Sequence, residues 1–258
     1  MLETLIFSLM IGGAVGVSAG YLGSLMVLKK MALVGDAMSH VALLGLALGI
    51  LFGFPTFLGA FAVLFVSAII IWHLGKVTKL SFESIVGATF TLALAIGIYL
   101  IQDRLELLES LFGDITSVTL LDALAGVIVS VVAILLTRMI YKKLVLGMIS
   151  EDLAVSKGIS VSATDLLYLL LVSMVVAVGI KIVGGLLVGF LVAVPAASAK
   201  NVSSNLFRYA LASSVFGAVS ATSGVLLSSY LNVLSGPMVV FSGMAIFATS
   251  VLLKWRSK

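Results

Sequence analysis

Apolar residues in this chain come in long unbroken runs rather than in alternation. Nine such segments can be counted, approximately 4–28, 31–53, 55–72, 84–101, 120–138, 163–180, 182–199, 209–229 and 237–253. A helical bilayer crossing takes about 20 apolar residues, so each segment predicts a transmembrane helix. A barrel would need an amphipathic period of two, and the runs are continuous. The pattern predicts an all-α polytopic membrane protein of about nine helices, within bounds of eight to ten, forming one domain over 1–258. Segments 31–53 and 182–199 are the candidates for a broken or re-entrant helix.

Composition agrees. Of 258 residues, 62% are hydrophobic and 10% charged, against about 25% charged in soluble domains. Such a chain has no room for a soluble catalytic domain. The net charge of +4 is no nucleic-acid footprint, because the basic residues sit between apolar runs. Cysteine is absent, which excludes disulfides, iron–sulfur clusters and thiolate metal sites. The opening MLETLIFSLM carries Glu3 and no basic residue, so it lacks a signal-peptide n-region and reads as the start of the first span.

Basic residues set the expected orientation. With the N-terminus outside, the inner loops hold Lys29, Lys30, Lys76, Lys79, Arg138, Lys142, Lys143, Lys157, Lys200, Arg208, Lys254, Arg256 and Lys258. Of the 15 basic residues only Arg104 and Lys181 then remain outside. The C-terminus is cytoplasmic on this reading. His73, beside Lys76, reads as a surface residue of an inner loop.

The connections carry start and stop signals. The outer stretch 102–119, QDRLELLESLFGDITSVT, is acidic through Asp103, Glu106, Glu109 and Asp114. It suits either cation attraction or docking of a basic patch, or a plain solvated loop helix. Thr119-Leu-Leu-Asp122 fits a capping box opening the fifth span. The largest inner loop is expected over 141–163. Within it Ser150, Glu151 and Asp152 read as a helix start, Gly158 as its stop, and Ser162-Ala-Thr-Asp165 as a capping box for the next span. A short, bounded cytoplasmic helix results, suited to a partner or to plain connection. Gly12 and Gly16 have the spacing of close-packed membrane helices. Pro195, inside the seventh segment, is a kink or hinge candidate, or a tolerated proline.

Within the second segment, 34–45 reads VGDAMSHVALLG. Asp36 and His40 are four apart and share a helix face. Ionisable groups at membrane depth are costly and mark pathways or sites, and this pair suits a divalent metal. Three structural readings compete: an Asp36–His40 hydrogen bond, Asp36 as a helix-start residue, and His40 satisfied by a backbone carbonyl. Two ligands do not complete a shell. Water, Ser39, carbonyls of a broken helix or a second copy of the chain could supply the rest.

At these residues the chain resembles the permease subunits of ABC transporters that import zinc, manganese or iron. GDAMSH is similar to that family's G-D-x-x-S-H block, and SLFGDITSV at 110–118 to its outer loop. EDLAVSKGI at 151–159 resembles the segment that contacts the ATPase, and VGGLLVGFLVAVPAASA at 183–199 a proline-bearing span. The matches fall in family order and cover essentially the whole chain. The resemblance implies a homodimer of permeases on two ATP-binding cassette ATPase subunits in a prokaryotic inner (cell) membrane. An extracellular or periplasmic metal-binding protein would deliver the cargo. It puts Asp36 and His40 in the metal path near mid-bilayer, with Ser39 and Asp114 as weaker candidates. Ser150, Glu151, Asp152, Leu153, Ala154 and Gly158 would meet the ATPase. No permanently bound cofactor is implied, only a transported divalent metal: zinc or manganese, with iron as a third candidate. The chain lacks a Walker A sequence, so ATP hydrolysis would belong to a partner.

The alternative is a secondary transporter using Asp36 to carry protons, which needs no ATPase and leaves the ordered inner helix unexplained. An intramembrane hydrolase fits poorly: Ser39 and His40 point about 100° apart on a helix, and no H-E-x-x-H is present. A structural scaffold leaves the central pair unexplained.

Overall fold

The computed structural model describes residues 2–78, 80–101, 111–113, 115, 118–185 and 187–256. Asp114, Lys79, Arg104, Lys258 and most of the acidic outer stretch lie outside the described residues. Among the described residues the chain is all helical: α1 (Leu2–Leu28), α2 (Ala32–Phe52), α3 (Thr56–Val77), α4 (Phe82–Leu100), α5 (Leu120–Ile149), α6 (Glu151–Ser156), α7 (Val161–Val183), α8 (Val188–Val202), α9 (Leu206–Leu231) and α10 (Ser235–Arg256). Eight of these are long and apolar enough to cross a membrane; α8 is apolar but shorter.

Burial sorts the helices. The most apolar windows of α2 and α7 are 67% and 72% buried, whereas those of α4, α5 and α10 are 22%, 28% and 22% buried. The first two form the centre, and the last three present apolar faces such as Leu92, Leu135 and Leu252 outward. Hydrophobicity gives no drive for association in lipid, so close packing and hydrogen bonds hold such a bundle. Gly16 faces the Gly217 carbonyl, where a Cβ would stand 2.4 Å away, so α1 and α9 meet backbone to backbone. Gly12 faces only side chains. The Ser213 hydroxyl donates to the Gly20 carbonyl at 2.5 Å, the Tyr168 hydroxyl to the Leu22 carbonyl at 2.5 Å, and Ser18 to Ser130 at 3.2 Å. Each such bond is worth roughly 0.6–2 kcal/mol in membranes.

Several sequence expectations are refined. Segment 31–53 is one continuous helix. Segment 182–199 is broken: α7 stops at Val183, Gly184 takes a left-handed φ of 84°, and α8 starts only at Val188. The break therefore precedes Pro195, which lies inside α8 and has no N–H for the Leu191 carbonyl. The fifth span does not end at Arg138. Its helix continues to Ile149, carrying Arg138, Lys142 and Lys143 on its last turns, so the connection expected over 141–163 is shorter. His73 sits in the last turns of α3 and is exposed, not in a loop.

Candidate metal site

Asp36 and His40 come from the first half of α2. The helix begins at Ala32, so Asp36 lies about 6 Å along its axis, toward the Lys29–Lys30 corner rather than mid-span. The start of α2 sets that depth. The His40 Nε2 is 3.9 Å from the Asp36 Oδ2. The Asp36 side chain is 58% exposed on the protomer and that of His40 is 15% exposed.

This geometry weighs on the three structural readings. A separation of 3.9 Å exceeds hydrogen-bond distance, so the two groups do not satisfy one another. No acidic residue lies in the first turn of α2, so Asp36 is not a helix-start residue. The His40 Nδ1 is buried with no hydrogen-bond partner among the described residues. Nδ1 is the buried nitrogen, and the one that faces the Asp36 carboxylate across the 3.9 Å gap is Nε2. A cation about 2.1 Å from Nε2 and from a carboxylate oxygen would draw them slightly together.

Two neighbours hold the pair. Phe90 of α4 lies against the His40 ring, centroid to centroid 5.5 Å at 30°. Gly189, in the first turn of α8, abuts the Asp36 backbone. Ser39 points elsewhere: it is fully buried and donates its hydroxyl to the Asp36 carbonyl at 2.6 Å. The structure therefore brings Asp36 and His40 together and leaves Ser39 on an adjoining, packed flank of the helix. Among the described residues no group of three or more His, Asp or Glu side chains is gathered. Pro195 is buried in α8, two turns beyond Gly189.

The short helix expected after Ser150 forms. Ser150 accepts from the Leu153 amide at 3.2 Å and caps α6. Glu151 and Asp152 occupy its first turn, and Gly158 follows its end with φ 74°. Ala154 is buried and Leu153 exposed, so one face packs and the other is open. The Thr119–Asp122 capping box is present, and Asp122 also pairs with Lys181 at 3.4 Å. The second expected box is not present. Ser160, not Ser162, caps α7, accepting from the Ala163 amide, and Asp165 is engaged with Lys29. Sequence reasoning missed Phe90, Gly189 and this Lys29–Asp165 pair. Gly189 alone left a trace, as one of the glycines crowding the broken segment.

Eight apolar helices, two of them forming the buried centre, and the acid–imidazole pair that α2 carries define a multi-pass cell-membrane protein of transporter type. The chain belongs to the ABC 3 transport family, whose pattern matches residues 1–254. It is 30% identical over 241 residues to the manganese transport system membrane protein MntC of Listeria monocytogenes, covering 92% of this chain and 86% of that one. It is 31% identical over 261 residues to the high-affinity zinc uptake system membrane protein ZnuB of Buchnera aphidicola, covering 98% and 99%. Its fold is similar to that of PsaBC from Streptococcus pneumoniae, solved in complex with Fab, at a TM-score of 0.85 and 30% identity over 96% of this chain and 91% of that one.

Proposed function

We propose that this chain is the permease subunit of an ATP-driven importer of divalent transition metal, with manganese and zinc ahead of iron. The Asp36–His40 pair carries the reading, because the carboxylate and the imidazole Nε2 stand 3.9 Å apart on one helix face with no hydrogen bond between them. The family supports it, and relatives bear the names of manganese and zinc systems. The donor set suits all three metals. The choice among them belongs to the rest of the shell.

In this reading the N-terminus is outside, two copies of the chain pair, and the exposed side of Asp36 faces the shared path. A carboxylate left open on a membrane protomer needs water or protein beside it rather than lipid. An extracellular binding protein delivers the metal. Two ATPase subunits dock on α6, whose open Leu153 face and capped ends suit a contact, and they hydrolyse ATP. Asp114 remains a candidate of the outer loop, and Pro195 a candidate hinge beyond the break at 184–187. The chain itself does no chemistry on its cargo and holds no resident cofactor.

The test is uptake into vesicles holding this chain with its ATPase subunit, using manganese, zinc and iron, with Asp36→Ala and His40→Ala alongside. Uptake of one metal that needs ATP and collapses in both variants supports the reading. Normal transport by both variants sinks the metal path, and uptake without ATP favours the secondary transporter.

A further inference from the structure

The inner end of α7 is fastened to the corner that leads into α2. Lys29, in the turn after α1, forms an ion pair with Asp165 in the second turn of α7. A loop lysine placed only for orientation would be solvated. The Lys29 side chain is 11% exposed and that of Asp165 30%. One turn below, the Trp72 indole N–H of α3 donates to the Ser162 carbonyl at 2.8 Å and to its hydroxyl at 2.9 Å. Lys76 lies over the same indole, 4.7 Å from its centroid. These groups line a cleft of about 540 Å³ that also includes Glu151 of α6.

Connectivity gives the arrangement its meaning. Upstream of Ser162 and Asp165, only residues 157–160 separate α7 from α6. Downstream of Lys29, α2 begins at Ala32 and reaches Asp36 in its second turn. Covalent chain alone runs from Ser156 to Asp36 only by a long route through the bundle. The Lys29–Asp165 bridge shortens it to two brief stretches of backbone.

We propose that Lys29 and Asp165 are positioning residues that make the first turns of α7 and the α1–α2 corner move as one body, carrying displacement of α6 to Asp36. The inference rests on the reading of α6 as the ATPase contact. The Trp72–Ser162 bonds steady the same turn from the α3 side. Severing the bridge leaves α6 able to move while α2 stays behind, so ATP is hydrolysed with less metal moved. A partly buried charge left without its partner also loosens the corner.

The experiment uses the permease–ATPase complex in vesicles and reads metal taken up per ATP hydrolysed, with co-purification of the ATPase subunit as a separate readout. Lys29→Met is expected to lower that ratio by at least roughly fivefold while the ATPase subunit co-purifies as in the parent. The exchanged pair, Lys29→Asp with Asp165→Lys, is expected to recover most of it. An unchanged ratio in Lys29→Met overturns the proposal, as does an exchanged pair no better than the single variant. If Lys29→Met does not reach the membrane, the exchanged pair decides alone: assembly and coupled uptake regained support the bridge, and no recovery overturns it. Failure of the α6 reading is distinguishable, because Leu153→Asp would then leave co-purification intact whatever the Lys29 variants do.

Discussion

Gly189 stands against the backbone of Asp36: a Cβ on the glycine would lie 2.6 Å from the Asp36 Cα and 2.9 Å from its amide nitrogen. Backbone cannot yield as the end of a side chain can, so a methyl group here forces α8 and α2 apart. Gly189→Ala is expected to cost about 1–3 kcal/mol of overpacking and to shift Asp36 from His40. Thermal unfolding in detergent together with metal uptake checks this. Loss of uptake well beyond the stability change is the expected outcome, and parent-like uptake would show that the contact is only packing.

Removing the charge of Asp36 without its shape separates binding from folding. Asp36→Asn keeps the volume and, with the side chain 58% exposed on the protomer, is expected to leave folding intact. Uptake is expected to fall by more than the roughly 10–100-fold that an outer-shell metal partner is worth. Transport assays paired with size-exclusion profiles decide it; robust uptake by Asp36→Asn would rule out a carboxylate ligand.

Phe90 is expected to act through His40. With ring centroids 5.5 Å apart, the phenyl face limits the rotamers open to the imidazole. Phe90→Ala should raise the KM for metal by several-fold with less change in the maximal rate, at the roughly 0.5–1.5 kcal/mol scale of an aromatic pair. Phe90→Tyr should restore it. Equal effects of both substitutions would mean that Phe90 merely fills space.

The end of α6 is a separate lever. A six-residue helix is marginal by itself, and loss of a serine N-cap costs about 1 kcal/mol. Ser150→Ala is therefore expected to weaken co-purification of the ATPase subunit without touching metal binding, and Ser150→Asp to retain it. Pull-down of the ATPase subunit against each variant measures this.

Much of this fold was legible because lipid imposes one rule on the whole chain. Apolar runs long enough to cross a bilayer became helices, and the signals around Ser150, Gly158 and Thr119 stood where local hydrogen bonding put them. The failures share a cause. Arg138 looked like the end of a span because charge leaves the hydrocarbon, yet a helix needs no lipid and α5 ran on to Ile149. Asp165 looked like the last member of a capping box because the spacing fitted, but Lys29, 136 positions away, competed for its carboxylate. The Asp36–His40 face followed from helical spacing alone. Phe90 and Gly189 depend on which helices meet, which no local pattern encodes.

The short reach of α8 bears on how the protein is made. Its 15 residues extend only about 22 Å, less than the roughly 30 Å hydrocarbon layer. A nascent α8 therefore cannot settle across the bilayer alone and must be drawn in against α1 and α2 already in place. Its far end waits longer still, since Asn201 bonds Ser250 and accepts from Lys254, both in α10. The Asn201 end of α8 is therefore fastened only once α10 has packed, about 18 Å along the helix from the Gly189 contact with Asp36, so the two ends of α8 are secured at different stages of assembly.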